Sequence, residues 1–374
     1  MVRAARMTPG AVAAASDAPL VSIIVPARNE AVNISVCLAS LLNSDYPNYE
    51  IVVVDDGSSD GTGDIVRILA EHSDGRVRLV EGEALPPGWM GKPWACWQGY
   101  RHASGDILLF TDADTRHEER LLGHAVGAML AREADLVSVM PRQLMVGLWE
   151  RLILPHIFAL ISLRYVNLEV VNRTRTPRDV IANGQFMLIR RDAYDHIGGH
   201  DELRSEIVED QRIAQRLVMA DRRIFIAHAE TLMETRMYRS LSGIVEGWTK
   251  NLAIGSRRAS PQWAAPVVPW LIAIFLIAMW VVPPAALLIS LLTPLQPWVQ
   301  GWSLAVCAAS LLFWLLAHGV QRVPLPYALT WPVGALVAAF LFVRSALRGP
   351  NVAWKGREYR TGTEPGEVER QPNV

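Results

Sequence analysis

Between Trp263 and Val343 the chain carries one arginine, Arg322, and no other lysine, arginine, aspartate or glutamate. So long an uncharged run has to be withdrawn from water, into protein or into a bilayer. Three apolar segments divide it, at about 266–292, 299–318 and 327–343. Each approaches the ~20 residues a helix needs to cross ~30 Å of hydrocarbon. Trp263, Trp270, Trp298, Trp302 and Trp331 stand near the segment ends, where amphipathic rings favour the membrane interface. Pro283-Pro284 should kink or break the first segment. His318 and Arg322 are the ionisable groups of the region and both lie near an end, which argues against a transporter. A membrane region over 263–345 is the expectation.

Ahead of it the sequence has the make-up of a water-soluble domain. The formal net charge of −1 offers no basic surface for nucleic acid. Cys37, Cys96 and Cys307 have no metal-like spacing, and a reduced compartment is the default. Residues 1–19 are alanine-rich without the apolar stretch of a secretory signal, and read as a disordered leader. Arg257 and Arg258 precede the first apolar segment and put the domain on the cytoplasmic side. Three full crossings would then leave the basic tail, with Arg344, Arg348, Lys355, Arg357 and Arg360, outside, against the same rule. The sequence leaves open whether one segment is re-entrant or the tail an exception; the tail, 346–374, reads as basic and then, from Thr361, disordered.

From Leu20 onward β-branched runs alternate with helical spacing. Leu20–Pro26, Glu50–Val54, Val77–Val80 and Asp106–Phe110 read as buried strands, separated by helices at 32–42, 62–71 and 92–103. Further strands are expected at 135–139, 186–190 and 223–227, and helices at 209–219 and 241–254. Such alternation indicates an α/β fold with a doubly wound, mostly parallel sheet over 20–256. Ligands of such sheets lie beyond the C-terminal strand ends. The segment 148–168 is apolar enough to cross a membrane. One crossing would separate Asp112 from Asp210, so an interfacial or buried core helix is expected instead.

Two acidic loops fall at those strand ends. Asp112-Ala113-Asp114 follows Ile107–Thr111 directly. Taken alone, Asp-x-Asp is a common solvated turn, but here a buried strand aims it. Mg²⁺ and Mn²⁺ are held through one or two protein carboxylates plus substrate phosphates. Asp114 is the candidate metal ligand, with Asp112 on the metal, a metal-bound water or a ribose. Asp55-Asp56-Gly57-Ser58 ends the second strand; a carboxylate there can accept from a nucleoside, and Gly57 permits close approach. The alternative is an Asx turn with Ser59 or Asp60 capping the next helix. Glu209-Asp210 opens a helical run, where the macrodipole alone favours acids; Asp210 is equally placed to take a proton from an acceptor hydroxyl. Lys92, after Gly88-Trp89-Met90-Gly91, either steadies a diphosphate or faces solvent. Glu209, Trp248 and Lys250 are candidates for the acceptor rim, although interfacial anchoring also accounts for Trp248 and Lys250. The Arg173–Arg178 stretch reads as a solvated loop, and His196, His200 and His228 as structural residues.

Val25-Pro26-Ala27-Arg28-Asn29-Glu30, the Asp-Asp-Gly-Ser loop, the Asp-Ala-Asp triplet and the Glu-Asp pair, in this order, resemble family 2 GT-A glycosyltransferases. Leu85-Pro86-Pro87-Gly88-Trp89-Met90-Gly91-Lys92-Pro93-Trp94 and Gly247-Trp248-Thr249-Lys250-Asn251 resemble a narrower branch, the carotenoid (diaponeurosporenoate) and hopene-associated glycosyltransferases. The resemblance implies a GT-A fold and an inverting transfer of one sugar from a nucleotide sugar, UDP-hexose in the first instance. It implies Mg²⁺ or Mn²⁺ on Asp114, Asp210 as base, and Pro26, Arg28, Glu30, Asp55 and Asp56 about the nucleotide. The Gln-x-x-Arg-Trp motif of processive synthases is absent, and the membrane helix that tends to open members of the branch has no counterpart here. Membrane helices adjoining such a site imply a lipid acceptor, of carotenoid or hopanoid type. A polyprenyl-phosphate acceptor, or a non-catalytic scaffold that binds nucleotide, are the alternatives.

Overall fold

The computed structural model describes residues 18–293 and 295–348, with the backbone of a hairpin at 351–354 and 357–360. The leader up to residue 17 and the tail from 361 lie outside the described residues.

The first half alternates as expected: β1 (Val21–Ala27), α1 (Ile34–Leu42), β2 (Tyr49–Asp55), α2 (Thr62–Glu71), β3 (Val77–Glu81), α3 (Gly91–His102) and β4 (Ile107–Phe110). Then come β5 (Thr115–His117), α4 (Leu121–Arg132), β6 (Leu136–Met140), β7 (Arg142–Gln143), α5 (Leu148–Arg164), α6 (Leu168–Val171) and β8 (Met187–Arg190). α7 (Arg191–His196), α8 (Glu209–Met219), β9 (Ile224–His228), β10 (Met233–Thr235) and α9 (Leu241–Arg258) lead to the apolar helices α10 (Val268–Trp280), α11 (Val282–Ser290), α12 (Pro297–Val320) and α13 (Trp331–Leu347).

The main sheet has the order β3-β2-β1-β4-β8-β6-β9. Val21, Ile23, Ile24 and Val25 of β1 and Ile51 to Val54 of β2 are wholly buried, because helices cover both faces and leave no solvent side to spend polar residues on. β1 pairs in parallel with β2 and β4, so Ala27 lies beside Asp55 and Ile24 beside Phe110, and three strand ends finish at one edge. β8 breaks the pattern. It runs antiparallel between β4 and β6, with Met187 opposite Phe110, so its beginning reaches the edge where its neighbours end. A small sheet, β5-β10-β7, backs that edge.

Three apolar segments, Val268–Ser290, Pro297–Val320 and Leu325–Leu347, are long and apolar enough to cross a membrane. The first is two helices that meet at Val281, where Pro283 and Pro284 supply no N–H to the ladder. Apolar residues such as Ile274 (60% exposed), Leu304 (60%) and Phe340 (51%) face outward, which suits hydrocarbon and not water. The middle of α5 is buried against these helices, while Leu148, Trp149 and Leu163 toward its ends are exposed. Leu152, Ile153, Leu154 and Ile157 share a packed cluster with Trp314 of α12 and with Ala335, Ala338 and Leu341 of α13. Backbones approach closely there, since a side chain on Gly334 would overlap His156 and the Leu152 carbonyl. His156 lies against the Trp314 ring at 4.0 Å between centroids, with its Nε2 3.0 Å from the Trp331 carbonyl.

Candidate functional site

The Asp112-Ala113-Asp114 triplet leaves β4 and is held from below by a buried polar network. Thr115 Oγ1 donates to the Asp112 carbonyl at 2.7 Å, and Thr235 Oγ1 to the Asp114 carbonyl at 3.2 Å. His117 Nε2 lies 3.1 Å from Thr111 Oγ1 and 2.9 Å from Thr115 Oγ1. Gln185, just before β8, accepts from Thr111 Oγ1 through its carbonyl at 2.7 Å and donates from Nε2 to Thr235 at 3.3 Å. Burial pushes His117 down to about 3, so the imidazole beneath the triplet is neutral and adds no competing charge. Sequence reasoning did not single out Thr111, Thr115, His117, Gln185 or Thr235. For Thr111, Thr115 and His117 the signal was present as polar residues flanking the triplet at the end of an all-apolar strand.

Lys92 joins what the sequence keeps apart. Its Nζ lies 2.8 Å from Asp112 Oδ1 and 2.8 Å from Glu209 Oε1. Burial works against the ammonium, and Asp112 and Glu209 more than offset it, holding the group charged well above the ordinary lysine value. The solvent-facing alternative for Lys92 is thereby set aside: its side chain is 37% exposed and doubly paired. Glu209 is buried, which raises its carboxyl, but Lys92 outweighs that and keeps it ionised.

Asp210 follows in the first turn of α8. Its Oδ2 accepts from the Gly184 N–H at 2.8 Å and its Oδ1 from the Gln211 N–H at 2.7 Å. Gly184 belongs to the loop that the reversed strand β8 brings to this edge. A Cβ there would stand 3.1 Å from Lys92 Nζ and 3.2 Å from Asp210 Oδ2, so the ammonium and the carboxylate share one small space. Burial first, then the Glu209 charge, raise Asp210 to about 6, with Lys92 and the two N–H donors opposing. A carboxylate of that pKa can accept a proton near neutrality.

The Asp55–Gly57 loop has the side-chain-to-backbone turn of the alternative reading, with Asp60 at the start of the next helix. Asp55 itself makes the turn: Oδ1 accepts from the Ser58 N–H at 3.0 Å, and Oδ2 lies where a Cβ on Gly63 would be 2.5 Å away. Asp60 organises the start of α2, accepting from Thr62 N–H at 3.1 Å and from Ala31 N–H at 3.0 Å. Asp56 is buried at the mouth between β1 and β2, its carbonyl accepting from Arg28 Nη1. Arg28 also reaches the Gly57 carbonyl at 3.3 Å, where Gly57 has φ 67°. Pro26 sits within β1, and Glu30 accepts from Asn33 Nδ2 at 2.7 Å, while Asn33 Oδ1 accepts from Arg239 Nη2 at 2.9 Å.

Trp248 is not on an open rim. It is 7% exposed, packed edge-on against Phe158 at 5.7 Å and near Tyr238 at 6.4 Å, within the cluster shared with the apolar helices. The helix angle explains the correction: position 248 turns about 100° from Gly247, away from the acids and into the bundle. Lys250 is half-buried on the same helix. Tyr238 stands within reach of the acids' charges. Its hydroxyl fills the space that a side chain on Gly247 would need, and burial, then Asp114 and Asp112, raise its pKa. His200 is structural, as read: it is fully buried with Nδ1 2.7 Å from the Tyr194 hydroxyl.

Among the described residues no three histidine, cysteine, aspartate or glutamate side chains gather around one point. That suits a metal taken up with a diphosphate, for which two carboxylates suffice. The charges of Asp112 and Asp114 both bear on Tyr238 and on Cys37, so the two face a common region.

The model of the glycosyl transferase family 2 domain matches residues 22–198. The chain is 28% identical over 257 residues to a 4,4'-diaponeurosporenoate glycosyltransferase of Staphylococcus aureus, covering 67% of this chain and 65% of that one. It is 26% identical over 255 residues to that of Staphylococcus haemolyticus, covering 67% and 66%. The match thus spans just under two thirds of those relatives. Among solved structures, the mannosyltransferase PcManGT from Pyrobaculum calidifontis, in complex with GDP-Man and Mn²⁺, has a TM-score of 0.53 at 24% identity, over 91% of this chain and 90% of that one. That likeness is one of fold. Residues 22–198 thus match the glycosyl transferase family 2 domain, and the chain has a GT-A-like fold.

Proposed function

We propose that this chain transfers a single sugar, with inversion, from a nucleotide sugar, UDP-hexose in the first instance, to a membrane lipid of carotenoid or hopanoid type. The Lys92 bridge from Asp112 to Glu209 carries the reading, because it gathers the metal-binding triplet and the candidate base into one mouth. The catalytic domain spans 20–256 and lies on the cytoplasmic side. The membrane region spans 263–345 and brings a lipid acceptor to that mouth.

In this reading Asp112 and Asp114 hold Mg²⁺ or Mn²⁺ on the donor diphosphate, and the metal, when bound, supplies neutralisation of the leaving group's charge. Lys92 adds a positive charge beside the same phosphates. Pro26, Arg28, Glu30, Asp55 and Asp56 form the nucleotide side, where Arg28 and the Asp55 turn fix the loop that receives the nucleoside. Asp210 accepts the acceptor's proton as its oxygen attacks the anomeric carbon. The names of the staphylococcal relatives support a lipid-glycosylating reaction, and the GDP-Man and Mn²⁺ of the archaeal structure support a nucleotide sugar with a divalent metal.

Purified protein with Mn²⁺, UDP-hexose and a membrane lipid extract should release UDP. Asp114→Ala should lower that rate by about 100-fold or more, the scale of removing a charge-stabilising group. No release from any nucleotide sugar, with wild type and Asp114→Ala alike, would overturn the reading.

A further inference from the structure

Helix α9 presents one straight stripe toward the site: Gly247, Asn251, Ile254 and Arg258, spaced four, three and four residues apart. Both ends are anchored. Gly247 meets the Tyr238 hydroxyl, on which the Asp112 and Asp114 charges bear. Arg258 donates to the Val208 carbonyl at 3.0 Å, next to Glu209, and pairs with Glu206. Ile254 packs on Met90, Ile207 and Val208. Asn251, one turn from Gly247 and about 6 Å along the axis, therefore faces the space between the metal pair and Asp210. Its Oδ1 is buried and accepts no hydrogen bond among the described residues. A buried amide oxygen left so costs ~1–3 kcal/mol unless something else fills the role.

We propose that Asn251 orients the acceptor, gripping the oxygen-bearing head group of an apolar molecule whose chain leaves past Ile254, Met90 and Ile207 toward the membrane helices. This rests on the glycosyltransferase reading above and narrows its acceptor. The carboxamide is neutral: its Oδ1 can accept from a hydroxyl, and its Nδ2–H can donate to a single carboxylate. It does not suit a phosphate monoester. The ammonium at the mouth, Lys92, is already shared between two acids, and Asp112, Asp114, Glu209 and Asp210 would repel a dianion.

The test supplies isotopically labelled UDP-hexose and Mn²⁺ to membranes containing the full chain, and follows label into lipid. Wild type should make a glycolipid resistant to mild acid; mild alkali then tells the sources apart, releasing an ester of a carboxylic acid and sparing a glycoside of an alcohol. Asn251→Ala should slow labelling about tenfold through the acceptor KM, with Mn²⁺-dependent UDP binding and thermal unfolding unchanged; Asn251→Gln should recover part of the loss. Label released by mild acid as a phosphodiester sugar, or Asn251→Ala labelling at the wild-type rate, would overturn the inference while leaving a sugar transferase in place. A wild type that transfers no label counts against the glycosyltransferase reading itself.

Discussion

Asp210 is where sequence and surroundings most visibly set a chemical property. Its position in the first turn of a helix would by itself favour ionisation, yet burial and Glu209 raise it to about 6. In the proposed role of base it would work ionised, so kcat/KM should fall about tenfold per pH unit below pH 6, and Asp210→Asn should be slow and lack that limb. The same shift has a stability consequence of the opposite sense. A carboxyl with a raised folded pKa favours folding while protonated, and that contribution is lost as pH rises through about 6. Asp210→Asn should therefore be more stable than wild type above pH 6, by roughly 1–3 kcal/mol, read by thermal unfolding at pH 5 and 8. The acids of this mouth were legible as a set in the sequence. The Lys92 bridge and the Gly184 N–H were not, because each depends on pairings across distant segments that no local pattern encodes.

At the scale of elements, the strand–helix alternation and the three apolar segments could be read directly, since period and length are local properties. The reversal of β8 could not: Phe186–Arg190 reads as a buried strand in either direction, and only its neighbours β4 and β6 fix its sense. Trp248 was misplaced for a related reason, because a motif gives residue types and leaves open which side of the helix meets the bundle. One ion pair ties the end of β10 to the start of α5. Arg236 Nε and Nη2 each donate to Glu150 at 2.9 Å, and Glu150 also accepts from the Gly147 N–H at the start of α5. Burial would raise Glu150, but these donors hold it below the ordinary value. Removing one partner of such a pair leaves the other uncompensated. Glu150→Ala should lower stability by about 3 kcal/mol, measured by thermal unfolding in detergent, whereas a surface control, Glu81→Ala, should change it little.

For the whole molecule, the sheet and the apolar helices are not separable halves. The chain leaves the sheet after β7, threads α5 through the bundle, and returns at β8. A protein ending at residue 258 would leave Leu152, Ile153, Leu154 and Ile157 without α12 and α13 to cover them. Such a truncation should elute as aggregate in size-exclusion chromatography, where the full chain in detergent runs as a discrete species. The arrangement also imposes a schedule on biogenesis. His156 and its partner Trp331 are 175 residues apart. At ~5–20 residues per second, a ribosome needs roughly 10–35 s to deliver the second after the first. Throughout that interval the native cover of α5 is incomplete, for α9, α10 and α12 arrive before α13 does, so a cell making this protein must shelter it, by chaperone or by early contact with the membrane, before the site above it can close.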